Sequence, residues 1–266
     1  MTRISAPAVA YAVDQFRDSG AELARLQQQA TLIGAAEEEA FRGLGLPDAG
    51  RVLDLGCGPG AVAARIMSTR PKLGVVGFDR DPTVLARARA HIPVIRGDAE
   101  SLPFPSGHFD GVYARLVLRH LPRPEAVMRE MHRVSRRGGR VLILETDDDA
   151  LILQPYPPAF GRALTARQQT FRRRGANPFL ARLLPAMFQA AGFEAVAVRP
   201  LVVDSVSVGL APFARIVLSP VTDAIDEDLL PRAEVDAARA AVEEWPATHG
   251  AFGMTTVLVA GGTKVD

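Results

Sequence analysis

Three glycines give the first indication of chemistry in this chain. Gly56, Gly58 and Gly60 alternate with other residues directly after a short apolar run that carries Asp54. Glycine allows positive φ angles and the close approach of a ligand. The helical pattern that follows from Ala61 would offer unpaired N–H groups at its first turn. A strand, a tight turn and a helix start of this kind predict a binding site for a nucleotide-like cofactor.

Three carboxylates narrow the kind of ligand. Asp54, Asp79 and Asp98 each come at or just after the end of an apolar run, and ligands of open parallel sheets bind beyond the carboxyl ends of the strands. Three acidic groups on one rim do not suit a phosphate-rich ligand, but they suit one with hydroxyls, an exocyclic amine and a positive charge. Asp79 is expected to accept hydrogen bonds from both hydroxyls of a ribose. Helix capping is its alternative role, for which Asp81 is better placed.

The glycine spacing argues against two other classes of cofactor site. A dinucleotide turn has the form Gly-x-Gly-x-x-Gly, and here Ala61 occupies the third glycine position. The sequence also lacks the Gly-Lys-Ser/Thr ending of a phosphate-gripping loop. A nicotinamide-dependent oxidoreductase therefore remains only a minor alternative.

Strands and helices alternate over residues 51–146 and must position these groups. Apolar runs predict strands at residues 52–55, 73–78, 94–96, 109–113 and 140–145. Repeated βα units predict a parallel sheet with helices on both faces. Two later runs, at residues 193–203 and 253–260, predict two further strands.

Four segments, in order along the chain, resemble successive motifs of the class I S-adenosylmethionine-dependent methyltransferases. They read VLDLGCGPG (52–60), GFD (77–79), GDAESLPF (97–104) and RVSRRGGR (133–140). Their order and spacing are more specific than the glycine turn alone, and the resemblance covers residues 45–147. The nearest branch includes ubiquinone and menaquinone biosynthesis enzymes and natural-product methyltransferases.

The resemblance implies a fold class and a domain organisation. It implies an α/β fold with a doubly wound, mostly parallel, Rossmann-like sheet of seven strands, the last of them antiparallel. We expect an N-terminal helical lid at residues 1–45 and a methyltransferase domain at residues 46–266. Within that domain, residues 147–176 and 209–248 are expected to form a helical cap over the pocket.

The resemblance also implies how S-adenosylmethionine would be held. Backbone around Gly56, Cys57 and Gly58 would contact its methionine part, close to Asp54, and Asp79 would bind its ribose. Cys57 is expected to be a small packed residue rather than a reactive thiol.

The adenine and the acceptor side of the cofactor involve later motifs. Arg80 would lie against the adenine, Asp98 would accept a hydrogen bond from the adenine amino group, and the N–H of Ala99 would lie nearby. Arg115 and Leu116, just after the fourth strand, would border the cofactor on the acceptor side.

Methyl transfer from a sulfonium is an in-line displacement, in which the protein mainly aligns the reactants and excludes water. An oxygen or nitrogen acceptor can require a base, whereas an electron-rich carbon requires less. His120 is the first candidate base because it follows the fourth strand; a packed polar residue is the alternative. Tyr11 and Tyr156 are candidates to close over the pocket. Three aspartates, at positions 147–149, follow the fifth strand, and one of them, with Asp147 as the named candidate, is expected to face the acceptor; a solvated turn is the alternative.

The predicted function is S-adenosylmethionine-dependent methyl transfer to an oxygen, nitrogen or carbon atom of a small, partly hydrophobic metabolite, as in a biosynthetic pathway. The alternative is a member of this fold that catalyses a non-methylating reaction such as cyclisation, or that only binds. The expected partner is a small-molecule acceptor.

Composition argues against several other classes of partner. The net charge of +1 gives no general attraction to nucleic acid, and the arginine run 172–174 is expected to be a solvated helix face. The five histidines lack metal-ligand spacing, so no metal is expected. A single cysteine and the lack of an apolar run of about 20 residues predict a cytoplasmic protein without a membrane span. Monomer and homodimer both remain open.

Overall fold

A mixed β-sheet forms the centre of the protein. The computed structural model describes residues 18–223 and 225–266. The strands in these residues are β1 (Ala49–Leu55), β2 (Lys72–Asp79), β3 (Val94–Arg96), β4 (Phe109–Arg115), β5 (Ser135–Thr146), β6 (Ile152–Gln154), β7 (Phe193–Asp204) and β8 (Phe252–Lys264).

The strand order confirms the expected sheet. Strands β1 to β5 run parallel in the order β3-β2-β1-β4-β5. Strand β8 runs antiparallel to β5 on one side and to β7 on the other. The short strand β6 was not predicted; it pairs with the first residues of β8, beyond the end of β5.

Helices complete the α/β architecture. In the described part of the chain they are α1 (Ser19–Leu32), α2 (Gly34–Gly43), α3 (Ala61–Thr69), α4 (Pro82–Ala88), α5 (Pro124–Val134), α6 (Pro158–Arg173), α7 (Leu184–Ala190), α8 (Ser205–Val208), α9 (Leu210–Phe213) and α10 (Arg232–Glu244). A π-helical turn at Ala214–Leu218 and a 3₁₀ turn at Ser219–Thr222 follow α9.

Alternation along the central strands builds an apolar core on each face of the sheet. Val52 and Leu142 belong to one buried cluster, whereas their neighbours Leu53 and Ile143 belong to the other. Successive side chains of a strand point to opposite faces, so a strand buried on both faces reads as a continuous apolar run. This burial fixes the register of β1 against β2 and β4, and therefore the level at which these three strands end.

The described part of the lid, residues 18–45, is tied to the end of β4. Glu37 on α2 is fully buried and accepts a hydrogen bond from Arg115 Nε at 3.0 Å. Arg115 Nη2 also donates to the carbonyl oxygen of Gln29 on α1 at 2.9 Å. The rings of Phe41 and Tyr113 lie 5.6 Å apart between α2 and the sheet. These contacts hold α1 beside the carboxyl ends of the strands.

The two predicted cap segments contact each other. Helices α6 and α10 share a small apolar cluster that includes Ala163, Ala166 and Ala238. The indole N–H of Trp245, just after α10, donates to the carbonyl oxygen of Pro155 at 3.1 Å. The cap is therefore a packed layer and not a set of separate loops.

Candidate functional site

A cavity of about 940 Å³ opens at the carboxyl ends of β1, β2 and β4. Helices α1 and α6 and residues 216–223 line it opposite the sheet. Ligand pockets commonly enclose about 300–1,000 Å³, so one cavity of this size has room for a cofactor and a second small molecule.

The glycine turn forms one wall of this cavity. Gly56 and Cys57 donate their N–H groups to the carbonyl oxygen of Phe78, at 2.7 and 3.1 Å, which fixes the turn against the end of β2. A Cβ at Gly56 would overlap the side chain of Val117, so only glycine fits there. Gly58 has φ of 52°, and a Cβ there would meet nothing within 4 Å. The turn is thus packed at its base and open toward the cavity at Gly58.

Cys57 and Asp79 support the turn from below. Cys57 is 7% exposed, and burial raises the pKa of its thiol, so it is a packed neutral residue. Asp79 Oδ2 accepts the N–H of Gly58 at 3.1 Å, and its Oδ1 accepts the N–H of Asp81 at 3.0 Å. Asp81 itself caps α4 by accepting the N–H of Thr83 at 2.7 Å. Asp79 is therefore aimed at the glycine turn, while Asp81 does the capping.

Asp54 is the most deeply buried carboxylate of the rim. It is 2% exposed and lies opposite Tyr113 in the register of β1 and β4. Burial raises the pKa of Asp54 to about 7; the Tyr113 hydroxyl lowers it, and the negative charges of Asp79 and Glu37 raise it further. Within the described residues Asp54 Oδ2 has no hydrogen-bond partner. Asp54 lines the cavity. A carboxylate that lacks a hydrogen bond at such a position fits a ligand that carries an ammonium or sulfonium group.

The predicted adenine end lies along β2 and β3. Arg80, Asp98 and Ala99 all line the cavity. Asp98 Oδ1 accepts the N–H of Glu100 at 3.0 Å, which fixes the turn after β3, and Arg96 Nε donates to the carbonyl oxygen of Arg80 at 3.0 Å. The structure brings these three predicted residues to the same rim as Asp54 and Asp79.

A buried glutamate shapes the exit of β4. Glu145 is fully buried, and its Oε1 accepts the N–H groups of Val117 and Leu118 at 2.9 and 2.7 Å. Burial raises the pKa of Glu145 to about 7, and the positive charge of Arg119 lowers it. Leu116, a predicted site residue that lines the cavity, has φ of 57° and donates its N–H to the carbonyl oxygen of Leu144 at 2.8 Å. Glu145 was not among the predicted site residues. A charged residue at the end of an apolar strand was the sequence feature that could have indicated it.

His120 lines the cavity next to the cap helix α6. Its ring centre is 5.4 Å from that of Phe171, a residue of α6. Burial and the positive charges of Arg119 and Arg167 hold the pKa of His120 well below its ordinary value, so the imidazole is neutral near pH 7. A neutral imidazole is able to accept a proton.

An ion-pair cluster that the sequence did not reveal lies beside His120. Asp148 accepts from Arg119 Nη2 at 2.6 Å and from Arg167 Nη1 at 3.0 Å. All three side chains line the cavity. The pairing joins the exit of β4 to the cap helix α6, and such a contact between distant segments leaves no local pattern in the sequence.

The remaining predicted residues lie less centrally. Asp147 also lines the cavity, but both its carboxylate oxygens bind Arg182, at 2.5 and 2.6 Å. Tyr156 is 47% exposed, contacts Phe160 with ring centres 6.1 Å apart and is not among the residues that line the cavity. Tyr11 lies outside the described residues. No helix in the described part of the chain is both long and apolar enough to cross a bilayer.

Comparisons with known proteins identify relatives of this chain. Residues 53–143 match the family model of a methyltransferase domain. The demethylmenaquinone methyltransferase of Geobacillus kaustophilus is 32% identical over 184 residues, which are 61% of this chain and 79% of that protein. The 2-phytyl-1,4-naphtoquinone methyltransferase of Synechococcus elongatus is 38% identical over 120 residues, 41% of this chain and 48% of that protein.

A solved structure shares the fold. Phosphoethanolamine N-methyltransferase 2 of Haemonchus contortus, in complex with S-adenosyl-L-methionine, superimposes with a TM-score of 0.61 at 18% identity, over 95% of this chain and 58% of that one. Fold, motifs and relatives together show that the chain belongs to the class I S-adenosylmethionine-dependent methyltransferases. S-adenosylmethionine is the cofactor of this family, and the open glycine turn with Asp54 and Asp79 fits it.

The raised pKa of Asp54 predicts a pH dependence of stability. Its pKa rises from 3.8 to about 7 on folding, so between these values the folded state holds a proton that the unfolded chain releases. Binding of this proton stabilises the folded state at acid pH, and the stabilisation is lost as pH rises toward 7. Asparagine mimics the protonated form of Asp54. In Asp54→Asn the free energy of unfolding should therefore fall less steeply with pH than in the wild type, by about 1.4 kcal/mol per pH unit.

Urea unfolding at several pH values in this interval measures the effect. Asp236→Asn is the matched control, because Asp236 lies on α10 with its side chain 56% exposed, and it should keep the wild-type slope. An Asp54→Asn slope equal to that of the wild type would contradict the prediction.

Proposed function

We propose that the chain transfers a methyl group from S-adenosylmethionine to a small, partly apolar ring compound of the quinol type. The observation that carries this proposal is the continuity of the cavity, in which the carboxylate rim passes directly into a wall of apolar cap residues. Leu164, Phe171 and Val221 belong to this wall, and Val203 of β7 and Val257 of β8 continue it on the sheet. The names of the two relatives, which act on demethylmenaquinone and on a phytyl naphthoquinone, support an acceptor of this class.

The rim residues divide the cofactor between them in this proposal. Asp54 and the open backbone at Gly58, with Gly56 and Cys57 beside it, hold the methionine part, and Asp79 accepts the ribose hydroxyls. Because burial raises the pKa of Asp79, hydrogen bonds from the Gly58 and Asp81 N–H groups are needed to keep it ionised. Two more hydrogen bonds from the ribose would stabilise the same charge.

The adenine and acceptor ends follow from the same placement. Asp98 and Ala99 contact the edge of the adenine, and Arg80 lies along its face. Arg115 and Leu116 separate the cofactor from the acceptor, with the Arg115 guanidinium held in place by Glu37.

The bound cofactor supplies an already activated methyl group. This chain contributes alignment, because a nucleophile held in line with the methyl group reacts as if it were at very high concentration. The apolar residues of α6 and the 216–223 segment exclude water from the reacting atoms.

We also propose that His120 accepts the proton of the acceptor hydroxyl. It lines the acceptor side of the cavity, it is neutral near pH 7, and the ring of Phe171 holds its orientation. Asp147 lies at the edge of this acceptor site, with its carboxylate held by Arg182.

An activity assay tests the proposed function. The protein is incubated with methyl-labelled S-adenosylmethionine and a reduced demethylmenaquinone with a short side chain, and the product is analysed by mass spectrometry. We expect a product with one added labelled methyl group and an equal amount of S-adenosylhomocysteine. A product of unchanged mass would instead support the cyclisation alternative, and a lack of any product would refute activity on this class of acceptor.

Asp79→Ala tests the ribose assignment. It should weaken binding of S-adenosylhomocysteine by about 1–3 kcal/mol, the scale of hydrogen bonds to a charged group. Isothermal titration calorimetry measures the change. Asp228→Ala, whose side chain is 66% exposed in an ion pair with Arg173, should bind as the wild type does. Unchanged affinity in a folded Asp79→Ala protein would show that the ribose lies elsewhere.

His120→Ala tests the proposed base. Its kcat should fall about 100-fold or more, since a positioned base contributes about 10²–10⁴-fold, while affinity for S-adenosylhomocysteine stays the same. The wild-type rate should show no decline as pH falls through the ordinary pKa of histidine, because the pKa of His120 lies well below it. His249→Ala, at an exposed position, is the control. Near-normal kcat in His120→Ala would assign His120 a packing role.

A further inference from the structure

We propose that Arg167 binds an ionised oxygen group of the acceptor, a carboxylate or a phenolate, next to the apolar wall of the cavity. This inference rests on the proposed function, because it concerns the acceptor half of the same cavity. The apolar lining alone indicates only an apolar acceptor, and Arg167 adds the requirement that the acceptor carry a negative charge.

The guanidinium of Arg167 is held at the cavity by two contacts. Its Nη1 donates to Asp148 Oδ2 at 3.0 Å, and its Cζ lies 4.3 Å from the ring centre of Phe171, one turn further along α6. Its side chain is only 12% exposed. The side chain of Arg167 makes no other hydrogen bond within residues 18–223 and 225–266. Its Nε and Nη2 groups therefore remain available in a site lined by this residue.

Arg167 shares its carboxylate partner with a second guanidinium. Asp148 also binds Arg119, at 2.6 Å. Arg119 lies beside a further carboxylate, the buried Glu145, which accepts the backbone N–H of Arg119 at 3.3 Å. Within residues 18–223 and 225–266 no second carboxylate binds Arg167. The Nε of Arg119 is also buried and has no hydrogen-bond partner in the described part of the chain. A buried charge without full compensation is costly, and an anionic ligand would complete it.

Two further ion pairs lie near Arg167 in the described part of the chain. Arg25 binds Glu22 at 2.6 Å and Asp223 binds Arg239 at 3.3 Å, so each of these carboxylates already has a cation beside it. Burial and the positive charges of Arg119 and Arg25 lower the pKa of Arg167 to about 10, against the opposing effects of Asp148 and Asp223.

The surroundings of Arg167 indicate what the anion is attached to. The Phe171 ring contacts both the Arg167 guanidinium and the His120 ring, whose centre is 5.4 Å away. Leu164, on the same helix, also lines the cavity. A planar ring packed on this wall would place an oxygen substituent near Arg167. Arginine suits this task because its planar donors match a carboxylate in a two-point contact.

Paired small probes test the inference without knowledge of the natural acceptor. Benzoate and 2-naphthoate are compared with the neutral amides benzamide and 2-naphthamide, by calorimetry on protein saturated with S-adenosylhomocysteine. In a second arm, 4-nitrophenol at a pH above its pKa is compared with 4-nitroanisole, so that the two arms distinguish a carboxylate from a phenolate. In at least one arm the anion should bind about tenfold or more tightly than its neutral partner.

Two variants assign the preference to this side chain. Arg167→Gln should abolish the preference for the anion while its affinity for S-adenosylhomocysteine stays at the wild-type value, which also shows that the variant is folded. Arg162→Gln should keep the preference; Arg162 lies on the same helix, 54% exposed and paired with Glu234.

Three results would overturn the inference. In the first, the anions bind no better than the neutral probes up to about 10 mM, a generous ceiling for such small ligands. In the second, the preference for the anion survives in Arg167→Gln. In the third, that variant loses affinity for S-adenosylhomocysteine. The last result would place Arg167 at the cofactor. Failure of the wild type to bind S-adenosylhomocysteine at all would instead count against the proposed function, so the two failures are distinguishable.

Discussion

The carbonyl oxygen of Phe78 accepts hydrogen bonds from two successive N–H groups, those of Gly56 and Cys57. This shared acceptor joins the end of β1 to the end of β2 at the level where both strands stop. The next N–H, that of Gly58, is thereby directed at Asp79. Val117, just after β4, packs directly against Gly56, where a Cβ would overlap it. The glycine turn therefore also sets how closely the segment after β4 approaches β1. The cavity, its carboxylate rim and its floor all depend on this one close approach of backbone to backbone.

The rim was predictable from sequence because its signals are local. A glycine turn after an apolar strand, and a carboxylate at each of the next strand ends, occur within a few residues of each other, and sheet geometry brings the strand ends to one edge. The acceptor side was not predictable in this way. Arg167 and Arg119 become partners only through Asp148, across the interface between cap and sheet. Arg115 and Glu37, which hold the lid, are 78 residues apart.

The three aspartates after β5 show most clearly what the sequence alone does not predict about the site. Asp147 and Asp148 are adjacent in sequence and identical in type, yet Asp147 pairs with the half-exposed Arg182 and Asp148 with two guanidinium groups at the cavity. Both aspartates line the cavity, and composition alone does not distinguish them. Which partner each carboxylate binds depends on the position of α6, which packs against α10.

Leu116 illustrates a different use of the same strand ends. It is a non-glycine residue with φ of 57°, and its backbone is held there by the carbonyl of Leu144 and by the Glu145 carboxylate that binds the next N–H groups. A backbone of this kind costs about 1–3 kcal/mol. Glycine at position 116 would relax the strain but would also remove an apolar surface from the cavity and loosen the loop. If Leu116 separates cofactor and acceptor as proposed, position 116 is a place where this fold gives up folding free energy to keep a rigid partition, and selection for thermal stability alone would tend to erode that partition.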